Sequence, residues 1–198
     1  MILSHLKGLL SSPSSEWQKI RDEQCSVADC YIQHVLILAA IPAISAFIGA
    51  TVVGWEIAER SFRFTYQSSI PLAIGLYLAS LCAIAILGKA IYWMADTYGT
   101  SKKLSTCISL ATAITTPVFL SGAFAIIPVP WLIFITGLCG LSYSVYLLYT
   151  GIPIVMEINQ EKGFLFASAI LTIALVTVVG ILAATVILWS LGLAPVHA

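Results

Sequence analysis

Residues 35–54, VLILAAIPAISAFIGATVVG, contain no charged side chain. At about 1.5 Å per residue, a helix of that run reaches about 30 Å, the hydrocarbon thickness of a bilayer. Inside lipid a chain must satisfy its own backbone polar groups, and a single segment does so only as a helix. The run is therefore read as a membrane span, the first to be threaded. Pro42 stands in its middle, where it cannot donate to the carbonyl of Leu38, so the sequence predicts a kink there.

Four more apolar runs follow, over residues 70–92, 104–127, 131–152 and 164–191. With 60% apolar and only 9% charged residues, the chain lies outside the soluble globular range. The predicted fold class is an all-α integral membrane protein. Five transmembrane helices make a membrane domain over residues 35–198, and residues 1–34 form a short, amphipathic helical segment ahead of it. Pro128-Val129-Pro130 is so short a connection that the third and fourth spans must form an antiparallel hairpin. Residues 153–163 read as a loop leading to the fifth span. Residues 55–69 are a polar connection in which 62–66 alternates as a short strand would.

In the leading segment, Ile2, Leu3, Leu6, Leu9 and Leu10 recur at helical spacing, which suits a helix lying on the membrane surface. A second helix is expected to start at Pro13, with Ser12 as cap and Glu16 in its first turn. Trp17 and Ile20 share one face of it, leaving Lys19, Arg21, Asp22 and Glu23 to water, so this helix too reads as interfacial.

Orientation follows from the basic residues. Seven of the nine, Lys7, Lys19, Arg21, Lys89, Lys102, Lys103 and Lys162, fall on the side of the N-terminus, and only Arg60 and Arg63 on the other. The bias places the N-terminus in the cytoplasm and, after five spans, the C-terminus outside.

Nothing in the sequence matches a phosphate-binding loop, a nucleophile elbow or a zinc-protease motif. No Asp, Glu or His stands at the centre of a span. The expectation is a protein that is not an enzyme, binds no nucleic acid and uses no obligatory cofactor. The strongest polar feature within the membrane is on the third span. Ser105, Ser109, Thr112 and Thr116 follow i, i+4, i+7, i+11 spacing and make one hydroxyl stripe that ends beside Pro117, a second expected kink. Such a stripe serves either as the lining of a pathway or as helix–helix and helix–backbone glue, and glue is the commoner use. Small residues four apart, among them Ala39/Ala43 and Gly180/Ala184, predict close helix contact.

Cys25, Asp29, Cys30 and His34 are residue types that zinc accepts, clustered just ahead of the first span. On one continuous helix all four cannot converge, whereas Cys30 and His34, one turn apart, can supply two ligands. If zinc binds, these two are its first candidates, with Cys25 and Asp29 as further ones. The bland alternative, a buried thiol beside a headgroup-level imidazole, is the more frequent arrangement.

Two stretches carry a family resemblance. Tyr146-Leu147-Leu148-Tyr149-Thr150-Gly151-Ile152-Pro153, with Lys162 and Gly163 beyond, and Pro13-Ser14-Ser15-Glu16-Trp17-Gln18-Lys19-Ile20 ahead of Ala40-Ile41-Pro42, resemble the bacterial branch of the Yip1-domain membrane proteins. The resemblance implies five spans, a cytoplasmic N-terminus, and Pro13, Trp17, Tyr146, Tyr149, Gly151 and Pro153 as family-like positions. It also implies residence in the bacterial inner membrane, with membrane lipids, other membrane proteins or further copies of the chain as partners. The sequence therefore points to a membrane adaptor or organiser. The rival reading is a small channel or transporter for a lipid, metal ion or small solute along the stripe of the third span.

Overall fold

Five helices long and apolar enough to cross a membrane make up most of the computed structural model, which describes residues 13–22, 26–57 and 60–190. A short helix α1 (Pro13–Asp22) comes first, followed by one turn, α2 (Val27–Cys30). Ser26 opens that turn: its Oγ accepts from the backbone N–H of Asp29 at 3.2 Å and donates to the Asp29 carboxylate at 2.6 Å. The first span follows as α3 (Leu36–Ile48), flanked by π-helical turns at Tyr31–Val35 and Gly49–Val53. The helix runs through Pro42 without ending there.

Gly54, at φ 88°, breaks the first span and turns the chain into a two-stranded antiparallel ribbon. Its strands, β1 (Trp55–Ile57) and β2 (Arg60–Phe62), pair Trp55 with Phe62, Glu56 with Ser61 and Ile57 with Arg60. The strand expected over residues 62–66 thus lies earlier in the chain. Pairing with β1 ends at Phe62, Phe64 donates its N–H to the carbonyl of Ala50 at 3.1 Å, and Thr65 is the extended residue before the next helix.

The remaining spans are α4 (Tyr66–Thr97), α5 (Leu104–Ser121), α6 (Pro130–Met156) and α7 (Gln160–Leu188). After Pro117, α5 continues to Ser121 and tightens into a 3₁₀ turn, Gly122–Ile126, that packs against α3. Contact there is close, since a β-carbon on Gly122 would lie 2.6 Å from Cβ of Pro42.

The loop expected over residues 153–163 is a correction. Helix α6 runs through Pro153 to Met156 and closes on Glu157, the one non-glycine among the described residues with positive φ, at 55°. Asn159 already caps α7, accepting from the N–H of Lys162 at 3.0 Å. The connection is therefore only Glu157, Ile158 and Asn159. Proline ends helices in water, but a neighbouring helix can accommodate it in a bundle, and here its ring seats against Gly163 of α7.

Helix α5 is the hub, packing against α3, α4 and α6, while α7 closes the side between α4 and α6. Cys107, Leu110, Ala111 and Ile114 of α5 are buried with Ile84 and Ile91 of α4 and Leu147, Ile152 and Val155 of α6. Small side chains on α5 let its neighbours approach closely, the packing that drives helix association where lipid is as apolar as leucine. Outward-facing positions such as Phe134, Val176 and Leu182 stay exposed because the bilayer solvates them. Of the small-residue pairs, Ala39 and Ala43 are buried, whereas Gly180 and Ala184 are exposed.

Candidate functional site

The N-terminal helix and the two connections α4–α5 and α6–α7 meet at one end of the bundle, hereafter the head end. Helix α1 is amphipathic as expected, but its apolar face lies on α6 rather than on lipid. Trp17 is 0% exposed, and its Nε1 donates to Oγ1 of Thr150 at 3.3 Å. Thr150 in turn donates to the carbonyl of Tyr146 at 3.0 Å, so its hydroxyl is oriented to accept from the indole. The next residue, Gly151, lies close against the indole, and a β-carbon there would fall 2.9 Å from Cε2 and Cζ2 of Trp17. Ile20 adds a second buried apolar contact one turn on.

Electrostatics complete the docking. Glu16 is only 2% exposed, and its carboxylate pairs at 3.0 Å with Lys19, whose side chain is 67% exposed. A buried carboxylate is stable only when paired, and this pair reaches from the junction to solvent. Glu157 receives cations from two separate segments: Lys102 of the α4–α5 connection hydrogen-bonds it, and Arg21 of α1 lies 3.7 Å away. The Lys102 hydrogen bond, then its charge, holds the Glu157 carboxyl below its usual range. Asp22 is held low chiefly by its hydrogen bond from Arg21 at 2.8 Å, and the same contact raises the Arg21 guanidinium. Thr100 donates to the carbonyl of Met156 at 2.9 Å, tying the α4–α5 connection to the end of α6.

Helix α7 is fastened to the same place. The hydroxyls of Tyr149 and Ser168 share a hydrogen bond at 2.9 Å, and the rings of Tyr149 and Phe164 lie 5.2 Å apart. Tyr98 stacks on Phe166 at 4.8 Å, and a β-carbon on Gly163 would lie 2.6 Å from Cγ of Pro153. Between these elements remains a groove of about 440 Å³, lined by Ser14, Tyr146, Tyr149, Thr150, Gln160 and Phe164.

The structure thus gathers Trp17, Tyr146, Tyr149, Gly151 and Pro153, five of the six family-like positions, at one junction. The backbone of Pro13 opens α1 there; its side chain lies outside the described residues. Glu157 and Ser168 belong to the junction without a sequence motif, and Arg21 and Lys102, which the sequence marks only as water-facing or orienting charges, meet Glu157 there. Their only signal is charge or hydroxyl next to a span end, which is shared with many surface residues.

The other sequence-derived candidates lie elsewhere. On α5, Thr112 and Thr116 are buried, and each donates its hydroxyl to its own helix, to the carbonyls of Ile108 and Thr112, at 2.8 Å. Ser105 and Ser109 are half-buried on the same helix. Of the zinc candidates, Asp29 is engaged in the Ser26 cap and His34 is half-buried in the π turn. Cys25 and the side chain of Cys30 lie outside the described residues. Among the described residues, no three His, Cys, Asp or Glu side chains gather as a metal-binding group.

The inner membrane protein YohC of Escherichia coli K12 is 40% identical over 191 residues, covering 96% of this chain and 98% of the relative. The YohC protein of E. coli O6:H1 matches to the same extent. No solved structure matches significantly. The Yip1 domain matches residues 7–181, a range that takes in α1, the first four spans and most of the fifth. With both of its family-like stretches locked together at the head end, this chain belongs to the Yip1 domain family.

Proposed function

We propose that this protein is a non-enzymatic component of the bacterial inner membrane, an adaptor or organiser that works by contacting other membrane proteins or lipids through its head end. In this reading the head end faces the cytoplasm and the C-terminus lies outside. The observation that carries it is the docking of α1, whose Trp17 is clamped on Thr150 and Gly151. A helix that merely led into the first span would not need that clamp. Clamped, it presents a fixed outer face with Gln18 and Lys19 exposed beside a charged rim drawn from three segments. Rigid presentation of a surface lowers the entropic cost of binding a partner. The inner-membrane name of the relative and the seven-to-two basic bias support the location and orientation. The rival, transport along the α5 stripe, is weakened because the Thr112 and Thr116 hydroxyls are already donated to their own helix.

A photo-crosslinking residue at Gln18, expressed in native membranes, tests the proposal. Discrete crosslinked products are expected, and they should disappear in the Trp17→Ala background while insertion of the five spans is unchanged. Solute flux through reconstituted protein that is lost on Thr112→Val/Thr116→Val, with the fold intact, would overturn it in favour of transport.

A further inference from the structure

Helices α4 and α7 touch near the head end, where Tyr98 stacks on Phe166, and stand apart at the opposite end. The space between them there is a crevice of about 710 Å³. Its walls are apolar and partly made of small residues: Gly75 and Ala79 on α4, Ala184 on α7. The volume is within the range of about 300–1,000 Å³ typical of ligand sites. Leu76 and Leu182 on its walls are exposed, so the crevice opens sideways into the bilayer.

Three observations identify the occupant. From Gln67 to Ala79 the crevice follows α4 for about 18 Å, close to the ~15 Å depth of hydrocarbon in one leaflet. Its chemistry is graded along that length, with Gln67, Ser68 and Trp189 at one end and, deeper in, apolar groups and Thr185, whose hydroxyl is donated to the carbonyl of Ile181 at 2.9 Å. An exposed cation, Arg63, stands four residues ahead of Gln67 in the short lead from β2 into α4, whereas the N-terminus of α4 and the C-terminus of α7 meet at this end and their dipoles offset one another. Water is excluded from a void at this depth, so leaving it empty would forfeit the dispersion contacts of its walls.

We propose that the crevice is a binding site for one anionic phospholipid, with an acyl chain between α4 and α7 and the phosphate beside Gln67, Ser68 and Arg63. It uses none of the head-end residues and does not depend on the adaptor reading.

Full-length protein, purified and equilibrated with equal amounts of phosphatidylglycerol and phosphatidylcholine, is examined by native mass spectrometry. The wild type should keep one phosphatidylglycerol under activation that strips loosely held lipid. A β-carbon on Gly75 would meet nothing within 4 Å, so Gly75→Leu fills the crevice without a clash, and it should abolish retention at unchanged thermal stability. Arg63→Gln, at the surface, should lower the preference for phosphatidylglycerol about fivefold, the worth of one interfacial cation. The proposal is overturned if the wild type holds no lipid, if Gly75→Leu retains it as the wild type does, or if both lipids are held equally. A change in oligomeric mass on filling the crevice would instead assign it to a second copy.

Discussion

Gly151 offers its bare α-carbon to the indole of Trp17 so closely that a β-carbon would stand 2.9 Å from two ring atoms. Gly151→Ala should therefore lift α1 off α6. Forcing a methyl into a packed contact costs about 1–3 kcal/mol. Trp17→Ala should cost more, about 3–5 kcal/mol, by emptying a fully buried site. Trp17→Phe should lose mainly the bond to Thr150, about 1 kcal/mol. Hydrogen exchange over residues 13–22, with thermal unfolding in detergent, ranks the three; protection unchanged in Gly151→Ala would contradict the clamp.

The tie that Lys102 and Glu157 make between the α4–α5 and α6–α7 connections should weaken in acid. Glu157 has its carboxyl held below its ordinary value of 4.5, first by the Lys102 hydrogen bond and then by the Lys102 charge. A pKa depressed on folding adds stability above the unfolded value and loses it as pH falls through the folded one. Thermal stability in detergent should thus be flat at neutral pH and fall below the usual carboxylate range. Glu157→Gln should flatten part of that fall, and Asp22, held low chiefly by its hydrogen bond from Arg21, shifts in the same direction. A steep acid dependence that survives the substitution would assign it to other groups.

Replacing Thr112 and Thr116 by valine keeps their shape and removes two hydroxyls already bonded to helix carbonyls. Each change should alter stability by under about 1 kcal/mol, because such bonds are worth about 0.6 kcal/mol on average within membranes. Steric trapping or thermal unfolding of the double variant measures it. A loss of several kcal/mol would mean that the hydroxyls bridge helices.

Reporter fusions check the orientation. Those after Gly99 and Gln160 should report the cytoplasm, and one at Ala198 the exterior, as the basic bias requires. A cytoplasmic reading at Ala198 would invert the assignment of the head end.

What the sequence made legible was local. Apolar runs announced five helices, and Pro13 with Glu16 marked the start of α1. Both stretches that meet at the head end were visible as separate motifs. Their contact was not, because Trp17 and Thr150 are 133 positions apart and no periodicity reports a partner at that distance. Glu16 was misleading for a related reason: a first-turn acid looks like a dipole partner for water to surround, and only docking on α6 buries it. Pro153 was read as a stop, since the rule for proline considers one helix at a time. Gly163, on the next helix, gives its ring room.

That separation of 133 positions also sets an order of events. The ribosome completes α1 long before α6 exists, and at about 5–20 residues per second the wait is on the order of ten seconds. During it, Trp17 and Ile20 have no protein surface to cover them, and the membrane interface is the nearest place for an apolar helix face. The clasp between α1 and α6 is therefore a late act of biogenesis. A chain interrupted before its fourth span leaves the ribosome with its first helix still on the lipid, an exposed marker of incomplete assembly.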